Sequence, residues 1–226
     1  MSNIAIVLCG GFGSRFRSIS TAPKILTEFN GIKYIDWIYS YLYDNGFKTV
    51  ILCLYYRADD ILNHLEKNPP LLSTETVIEE EALGTGGAVL NAMQKLSIDD
   101  AFIFNGDTHW SNNIPRAMFA SIDIDCAMCI SLVEINDRYG AVYQNEDRTV
   151  SIVRGTANEP LFNSQVSNGI MRLKVKPQKI ALPIPCSLES LVIQQKLTVS
   201  TFPMPGSFID YGTPSGYRRL STKHEI

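Results

Sequence analysis

The sequence lacks the long apolar segments of membrane proteins and the excess of basic residues typical of nucleic-acid-binding proteins. None of its apolar runs reaches the roughly 18 residues that a membrane-spanning helix needs, and no basic leader precedes the first one. Lysine and arginine number 20 against 23 aspartates and glutamates, a net charge of −3, so the basic surface typical of nucleic-acid-binding proteins is missing. We therefore expect a cytoplasmic protein with neither a membrane nor a nucleic acid among its partners.

Histidine and cysteine are too scattered for a zinc site or a disulfide framework. The chain has three histidines and five cysteines, an odd number. Cys126 and Cys129 form a Cys-x-x-Cys pair, but their branched, apolar surroundings predict a strand, in which side chains three positions apart point to opposite faces. We expect the cysteines to be small buried residues. His64 is expected on a surface helix, and His109 in a packed or solvated loop, with an acceptor or metal contact as the alternative.

Apolar and amphipathic segments alternate through the first half of the chain. We predict strands near 4–9, 48–54, 74–79 and 101–105, and helices near 33–45, 58–67 and 86–97. This alternation predicts a mainly parallel sheet covered by helices, and therefore one α/β domain over 1–226. Ligands are expected at the carboxyl ends of the strands.

The second half is richer in strand-forming residues. Within 125–175, the polar stretch 154–165 is predicted to be a mobile flap over a ligand. A helix near 187–195, a strand near 198–202 and a helix after Thr213 complete the prediction.

A stripe of large side chains at helical spacing lies in the first half of the chain. We expect it to pack in the core, with an interface between two copies of the chain, a homodimer, as the alternative. The stripe consists of Tyr34, Trp37, Ile38, Tyr41 and Leu42.

The most informative feature is a glycine-rich, basic loop. The apolar run 4–9 leads directly into Gly-Gly-Phe-Gly-Ser-Arg at 10–15, and Pro23-Lys24 follows. Glycines after a buried strand leave backbone N–H groups open to a ligand, and Arg15 and Lys24 add positive charge within the same connection. This arrangement predicts a polyphosphate site, with a plain tight turn as the alternative.

Two widespread phosphate-binding motifs fit this loop poorly. The dinucleotide motif needs a third glycine where the chain has Phe16, and an acidic residue after the next apolar run, where it has Tyr55-Tyr56-Arg57. The P-loop needs Gly-Lys-Ser or Gly-Lys-Thr, which does not follow the glycines. A nicotinamide oxidoreductase is therefore the disfavoured alternative, and a nucleoside triphosphate is the favoured ligand.

A second glycine cluster and two aspartates extend the predicted site. Residues 84–87 place three glycines at the start of an amphipathic helix, where a flat base would lie against open backbone. Asp107 follows an apolar strand-like run, and Asp210 precedes the predicted helix start at Thr213. Mg²⁺ is commonly bound by one or two carboxylates together with waters and phosphates. We therefore predict Asp107 and Asp210 as ligands of a Mg²⁺ cofactor.

Taken together, these motifs resemble those of the sugar-1-phosphate nucleotidyltransferases. The resemblance runs from Ile4 to about Tyr217. It rests on segments in the family's order: 10–24, 83–88, 105–107, 138–140, 168–169 and 210–214. Within the family, the chain is most similar to short guanylyltransferases that act on D-glycero-D-manno-heptose 1-phosphate for bacterial surface glycans.

The resemblance implies a Rossmann-like, GT-A-like three-layer sandwich with a mainly parallel, mixed sheet. It also implies a nucleotide-binding half of about 1–110 and a sugar-phosphate-binding half of about 111–226. The reaction would join an NTP, with GTP favoured, to a sugar 1-phosphate and release pyrophosphate. Cytidylyl, uridylyl or thymidylyl transfer to another phosphorylated acceptor, and a catalytically silent binding protein of the same fold, stay open as alternatives.

The resemblance assigns catalysis to Arg15, Lys24, Asp107 and Asp210. Arg15 would neutralise the leaving phosphates, and Lys24 would lie between the α-phosphate and the incoming sugar phosphate. The two aspartates would hold the Mg²⁺.

The implied binding residues form two groups. For the nucleotide they are Leu8, Gly10, Gly11, Gly13, Ser14, Arg15, Glu79, Leu83, Gly84, Thr85 and Gly86. For the sugar phosphate they are Lys24, Asn105, Gly140, Arg154, Asn168 and Gly169. Glu79 would accept hydrogen bonds from guanine, and a solvated acidic turn is the alternative for each of Glu79, Glu80 and Glu81. Asn168-Gly169 has a hairpin turn as its alternative.

One departure from the family concerns the acceptor side. After the strand-like run 150–153 the family commonly has a Glu-Lys pair that contacts the sugar and its phosphate, whereas this chain has Arg154-Gly155. Arg154 is expected to replace the lysine, although a guanidinium and an ammonium bind phosphate differently. The departure leaves the identity of the acceptor open.

Overall fold

The computed structural model describes residues 3–121, 123–136, 139–156 and 158–222, with the side chains of residues 135 and 136 excepted. The strands are β1 (Ile4–Leu8), β2 (Glu28–Phe29), β3 (Ile32–Lys33), β4 (Thr49–Leu54), β5 (Ser73–Ile78), β6 (Asp100–Asn105), β7 (Thr108–Trp110), β8 (Cys126–Asn136), β9 (Gly140–Gln144), β10 (Val150–Arg154), β11 (Leu161–Lys174), β12 (Val199–Pro203) and β13 (Phe208–Asp210). The helices are α1 (Tyr34–Asp44), α2 (Ala58–Lys67), α3 (Gly84–Lys95), α4 (Arg116–Ala120), α5 (Leu188–Gln194) and α6 (Pro214–Ser221).

Most of the strands form one mixed sheet in the order β10-β9-β11-β6-β1-β4-β5, with β8 beside β11 and β12 beside β8. The pairs β1–β4, β1–β6 and β4–β5 are parallel, whereas β11 is antiparallel to both β6 and β8. Leu8 lies in register with Cys53 on one side and Asn105 on the other. The loops that follow β1, β4 and β6 therefore emerge together at one edge of the sheet.

Helices cover both faces of the sheet. Ala5 and Val7 of β1 pack with α1, α2 and α6 on one face, and Ile6 packs with α3 and α5 on the other. This alternation follows from the two-residue period of a strand and gives both faces an apolar core. The predicted three-layer α/β architecture is confirmed, and the predicted strands and helices of the first half agree with the structure to within two residues.

The aromatic stripe on α1 packs in the core, as predicted. Tyr34, Tyr41 and their aliphatic neighbours are buried, whereas Trp37 is half-buried and stacks on Tyr34 with 4.9 Å between ring centroids. His109 is buried, and its ring centroid lies 4.3 Å from that of Trp37, so it is a packed histidine. The cysteines are free and are buried or half-buried, in agreement with the expectation.

Two predictions of local environment are wrong. The stretch 154–165 is not a loop throughout, because β11 begins at Leu161 and pairs with β8. Its polar residues belong to a strand with one solvent-facing side. His64 is buried rather than on the surface, because α2 packs on α1, where Asp36 Oδ1 lies 2.8 Å from His64 Nε2. None of the helices in the described residues has the length and apolar character needed to cross a bilayer.

Candidate functional site

The glycine-rich loop leaves β1 at the edge of the sheet where the neighbouring strands also end. Gly13 has a φ of +59°, a conformation that favours glycine, and a Cβ there would lie 3.4 Å from Lys24 Cγ. The Gly13 carbonyl accepts hydrogen bonds from the N–H groups of Phe16 and Arg17. Phe16, the residue that breaks the dinucleotide motif, is buried against Tyr211, so it anchors the loop to the core.

Asp107 and Asp210 are brought together by a two-stranded ribbon. β13 is antiparallel to β7, with Asp210 opposite Thr108, and the Tyr211 N–H donates to the Asp107 carbonyl at 3.0 Å. The Tyr211 hydroxyl donates to the Gly106 carbonyl at 2.9 Å, which fixes the chain on both sides of Asp107. This pairing explains how segments distant in sequence reach one place.

The side chains of Asp107, Asp210 and Lys24 converge around Gly212. A Cβ on Gly212 would lie 2.5 Å from Asp107 Oδ2, 2.9 Å from Lys24 Nζ and 3.1 Å from Asp210 Oδ1. Lys24 Nζ forms an ion pair with Asp107 Oδ2, and the Gly212 N–H donates to Asp210 Oδ1 at 2.9 Å. The missing side chain at Gly212 therefore leaves room for two carboxylates and an ammonium in direct proximity.

Two cavities open at this edge of the sheet and share a wall. The first cavity has a volume of about 350 Å³ and the second about 320 Å³, and Thr85, Asn105 and Asp107 line both. Further predicted residues on the first cavity are Leu8, Gly10, Gly11, Lys24, Glu79 and Gly84. Those on the second cavity are Arg15, Gly140, Arg154, Asn168, Gly169 and Asp210. The converging carboxylates thus lie at the junction of two ligand-sized spaces.

Of the three consecutive glutamates, only Glu79 faces the first cavity. Its side chain is almost fully buried, and Oε2 accepts a hydrogen bond from the Leu83 N–H at 3.1 Å. Burial raises the pKa of this carboxyl group above its usual value, and the Leu83 hydrogen bond partly opposes that rise. Glu80 and Glu81 are exposed. The solvated-turn alternative therefore holds for those two residues and not for Glu79.

Within the glycine cluster at 84–87, Gly86 has a different role from the one predicted. The Gly86 N–H donates to the Cys186 carbonyl at 3.0 Å, and a Cβ on Gly86 would lie 2.6 Å from the Ser187 carbonyl oxygen. Gly86 is buried and lines neither cavity. The prediction of open backbone for a base is wrong at Gly86, because α3 packs closely on the segment before α5. Gly84, with a φ of +73°, does line the first cavity.

Asn168-Gly169 is a β-bulge within β11 and not a hairpin turn. The register of β11 against β8 shifts between Ser167 and Met171. The Asn168 side chain is buried and its Nδ2 donates to Ser131 Oγ at 3.3 Å, while Gly169 has a φ of +88° beside Asn105. The bulge therefore brings the chain against the end of β6 at the second cavity.

The sequence of this chain matches the model of the nucleotidyl transferase family over residues 4–154. That match covers more than half of the chain. The chain belongs to this family. The family and the fold predicted from the motifs are thereby confirmed.

Relatives of similar length support this membership. A D-glycero-alpha-D-manno-heptose 1-phosphate guanylyltransferase of Campylobacter jejuni is 31% identical over 94% of this chain and 96% of its own length. The enzyme of the same name from Aneurinibacillus thermoaerophilus is 30% identical over 95% of each chain. HddC from Yersinia pseudotuberculosis superposes with a TM-score of 0.82 at 28% identity, over 96% of this chain and 97% of that one. A second HddC structure, complexed with GMP-PN, superposes with a TM-score of 0.81.

Within this nucleotidyl transferase domain, several predicted residues lie elsewhere than expected. Arg15 lines the second cavity, whereas most of the residues predicted with it for the nucleotide line the first. Gly13, Ser14 and Leu83 line neither cavity. Arg138, part of one motif, lies outside the described residues.

Several lining residues of the nucleotidyl transferase domain were absent from the predicted set, among them Phe12, Tyr55 and Glu189. Phe12, about half exposed, meets Tyr55 edge-on at 5.3 Å, and both line the first cavity. The aromatic residue within the glycine loop is a signal from which Phe12 could have been found. Glu189 lines the second cavity from α5, and no motif around it indicates this position.

Proposed function

We propose that the protein is a guanylyltransferase that joins GTP to a heptose 1-phosphate to give the GDP-sugar and pyrophosphate. An oxygen of the acceptor phosphate would attack the α-phosphorus of GTP, and the bond from that phosphorus to the oxygen bridging to the β-phosphate would break. The observation that carries this proposal is the convergence of Asp107, Asp210 and Lys24 at the wall between two cavities. A reaction between two phosphates needs charge stabilisation where they meet and little covalent chemistry from the protein.

The residues at the junction fit a magnesium ion. Asp107 and Asp210 offer hard carboxylate oxygens directed to one place. Two protein carboxylates suit an ion that keeps waters and phosphate oxygens as its other ligands. The two aspartates would hold Mg²⁺, which would supply charge stabilisation to the phosphate oxygens.

Cationic side chains of this chain would bind the phosphates. Lys24 lines the first cavity and is ion-paired with Asp107, so an arriving phosphate would compete for its ammonium. Arg15 and Arg154 line the second cavity, and among the described residues neither guanidinium group forms a hydrogen bond or an ion pair. Their guanidinium groups are therefore available for bidentate contacts with phosphate oxygens.

The first cavity would take the nucleotide, with Glu79 as the group that favours guanine. The N1–H and N2 amino groups of guanine are hydrogen-bond donors, and the buried Glu79 carboxyl group offers acceptors on the cavity wall. The relatives named as heptose 1-phosphate guanylyltransferases and the HddC complex with GMP-PN support this donor. The same relatives suggest the heptose acceptor.

A pyrophosphate-release assay tests the proposal. The full chain is incubated with GTP, CTP, UTP or dTTP and with a panel of heptose and hexose 1-phosphates, with Mg²⁺ or with a chelator. We expect release with GTP and the heptose 1-phosphate only when Mg²⁺ is present. Many-fold better use of another base would overturn the donor assignment. Nucleotide binding without release for any pair would indicate a silent binding protein.

A further inference from the structure

A carboxylate without a role in the scheme above faces the second cavity. Glu189 lies in the first turn of α5 and lines this cavity together with Arg15 and Arg154. Among the described residues, the carboxylate of Glu189 forms no hydrogen bond and no ion pair, not even with those two arginines. Three charged groups thus face one cavity with no partner from the part of the protein that the structure describes. Their interactions are available to a ligand.

Hydrogen bonds on both sides of Glu189 in the chain hold its position beside the second cavity. The backbone N–H of Leu188, its chain neighbour, donates to Thr85 Oγ1 at 2.9 Å. Ser187 caps α5 by accepting a hydrogen bond from the Ser190 N–H at 3.0 Å. The helix also packs against β10, the strand that ends in Arg154. Glu189 is therefore held by a capped helix turn that is attached to a residue lining both cavities.

The second cavity offers cations for a phosphate, and Glu189 as an acceptor for sugar hydroxyl groups. Arg15 and Arg154 are suited to an anionic group such as a phosphate. A sugar attached to that phosphate carries hydroxyl groups, whose O–H donors need acceptors. Asp107 is already ion-paired with Lys24, and Asp210 accepts from the Gly212 N–H. The Asn168 amide is used by Ser131 and by the Ile170 N–H.

We propose that Glu189 determines acceptor specificity by accepting hydrogen bonds from sugar hydroxyl groups of the 1-phosphate, while Arg154 binds its phosphate. The inference rests on the proposed function. The carboxylate and the cation would then come from separate elements, α5 and β10, and not from neighbouring positions of one strand end. A hydrogen bond to a charged acceptor discriminates strongly, because an analogue without the hydroxyl leaves a desolvated carboxylate without a partner.

Steady-state kinetics of E189Q and E189A provide the first test. We expect the KM for the sugar 1-phosphate to rise about 10- to 100-fold in both variants, while the KM for GTP changes by less than about twofold. E66Q serves as the matched control, because Glu66 is exposed on α2 and lines neither cavity. An equal rise of both KM values, or no rise for the sugar phosphate, would overturn the proposal.

Deoxy analogues separate direct recognition from a structural role. Mannose 1-phosphate and its 2-, 3-, 4- and 6-deoxy derivatives are titrated into the wild type and E189Q by calorimetry, without nucleotide. We expect the wild type to lose affinity for at least one deoxy analogue and E189Q to make no such distinction. Unchanged discrimination in E189Q, or binding of no sugar 1-phosphate to the wild type, would refute the role of Glu189.

The calorimetric titrations do not require turnover, so they separate this proposal from the proposed function. Sugar-phosphate binding that depends on Glu189, without pyrophosphate release from any NTP, would refute the proposed function and leave the specificity role intact. Normal GDP-sugar synthesis by E189Q, with an unchanged acceptor profile, would support the proposed function and refute the role of Glu189 in acceptor specificity.

Discussion

The positions of the Asp107 and Asp210 carboxylates depend on the absence of a side chain at Gly212, which lies between them. Both were predicted from the sequence, Asp107 because it ends an apolar strand-like run and Asp210 because it precedes the predicted helix start at Thr213. Their convergence depends on Gly212, since any side chain there would lie within 2.5 Å of Asp107 Oδ2. The two aspartates were predictable from the sequence, but the space between their carboxylates is visible only in the structure.

We expect Asp107→Asn and Asp210→Asn each to lower kcat by about 10³-fold or more, because the amide removes charge that would hold Mg²⁺ near the phosphates. Pyrophosphate release measures the rate, and circular dichroism during heating measures the fold. Asp44→Asn, an exposed change at the end of α1, is the control. Near-normal turnover by either variant would remove that aspartate from the metal site.

The packing of α3 on the segment before α5 is decided by glycines and a threonine. Gly86 allows the backbone of Ser187 to approach, and Thr85 Oγ1 accepts the hydrogen bond from the Leu188 N–H. The motif at 84–87 was predicted to bind a base, yet Gly86 serves helix packing. Close approach is why glycine is needed in both interpretations, so the local sequence does not distinguish them.

Thr85→Val is expected to destabilise the protein by about 1–3 kcal/mol, because the Leu188 N–H at the start of α5 loses its acceptor. Urea unfolding followed by tryptophan fluorescence gives the free energy of unfolding. Thr85→Ser keeps the hydroxyl group, and we expect it to unfold within about 1 kcal/mol of the wild type. Equal losses in the two variants would show that the hydroxyl is not what holds the contact.

Arg172 links β6 to the end of α4, two segments that come together only in the folded protein. Its guanidinium donates to both carboxylate oxygens of Asp100 on β6, at 2.9 and 2.7 Å, and to the carbonyls of Phe119 and Ser121 near the end of α4. Its side chain is almost fully buried. A planar fork with several donors is required to satisfy these acceptors together.

We expect Arg172→Met to lower the free energy of unfolding by about 3–5 kcal/mol, because Asp100 and the carbonyls lose their buried partner. Arg172→Lys should recover only part of that loss, since an ammonium lacks the bidentate geometry. Chemical unfolding provides the values. Folded protein of either variant should keep its KM for GTP, because Arg172 lines neither cavity. Full stability in Arg172→Lys would contradict the geometric argument.

Because of its buried thiols, the whole molecule is expected to become less stable at alkaline pH. Burial raises the pKa of Cys126 and Cys129 to about 12, against about 8.5 in an unfolded chain. Above the lower value the unfolded chain releases protons that the folded chain retains, so the free energy of unfolding falls as pH rises. Urea unfolding at pH 7.5 and 10.5 should show lower stability at pH 10.5. Equal or greater stability there would contradict this.

Local patterns in the sequence determined the alternation of strands and helices, the basic glycine loop and the two aspartates. These features follow from periodicity and residue chemistry within short segments, which do not depend on distant partners. The tertiary structure decided which cavity Arg15 faces, why His64 is buried, how Asn168 and Gly169 form a bulge, and that Glu189 reaches the second cavity. Each of these depends on pairing between distant segments, and a local pattern carries no signal for the partner that long-range packing supplies.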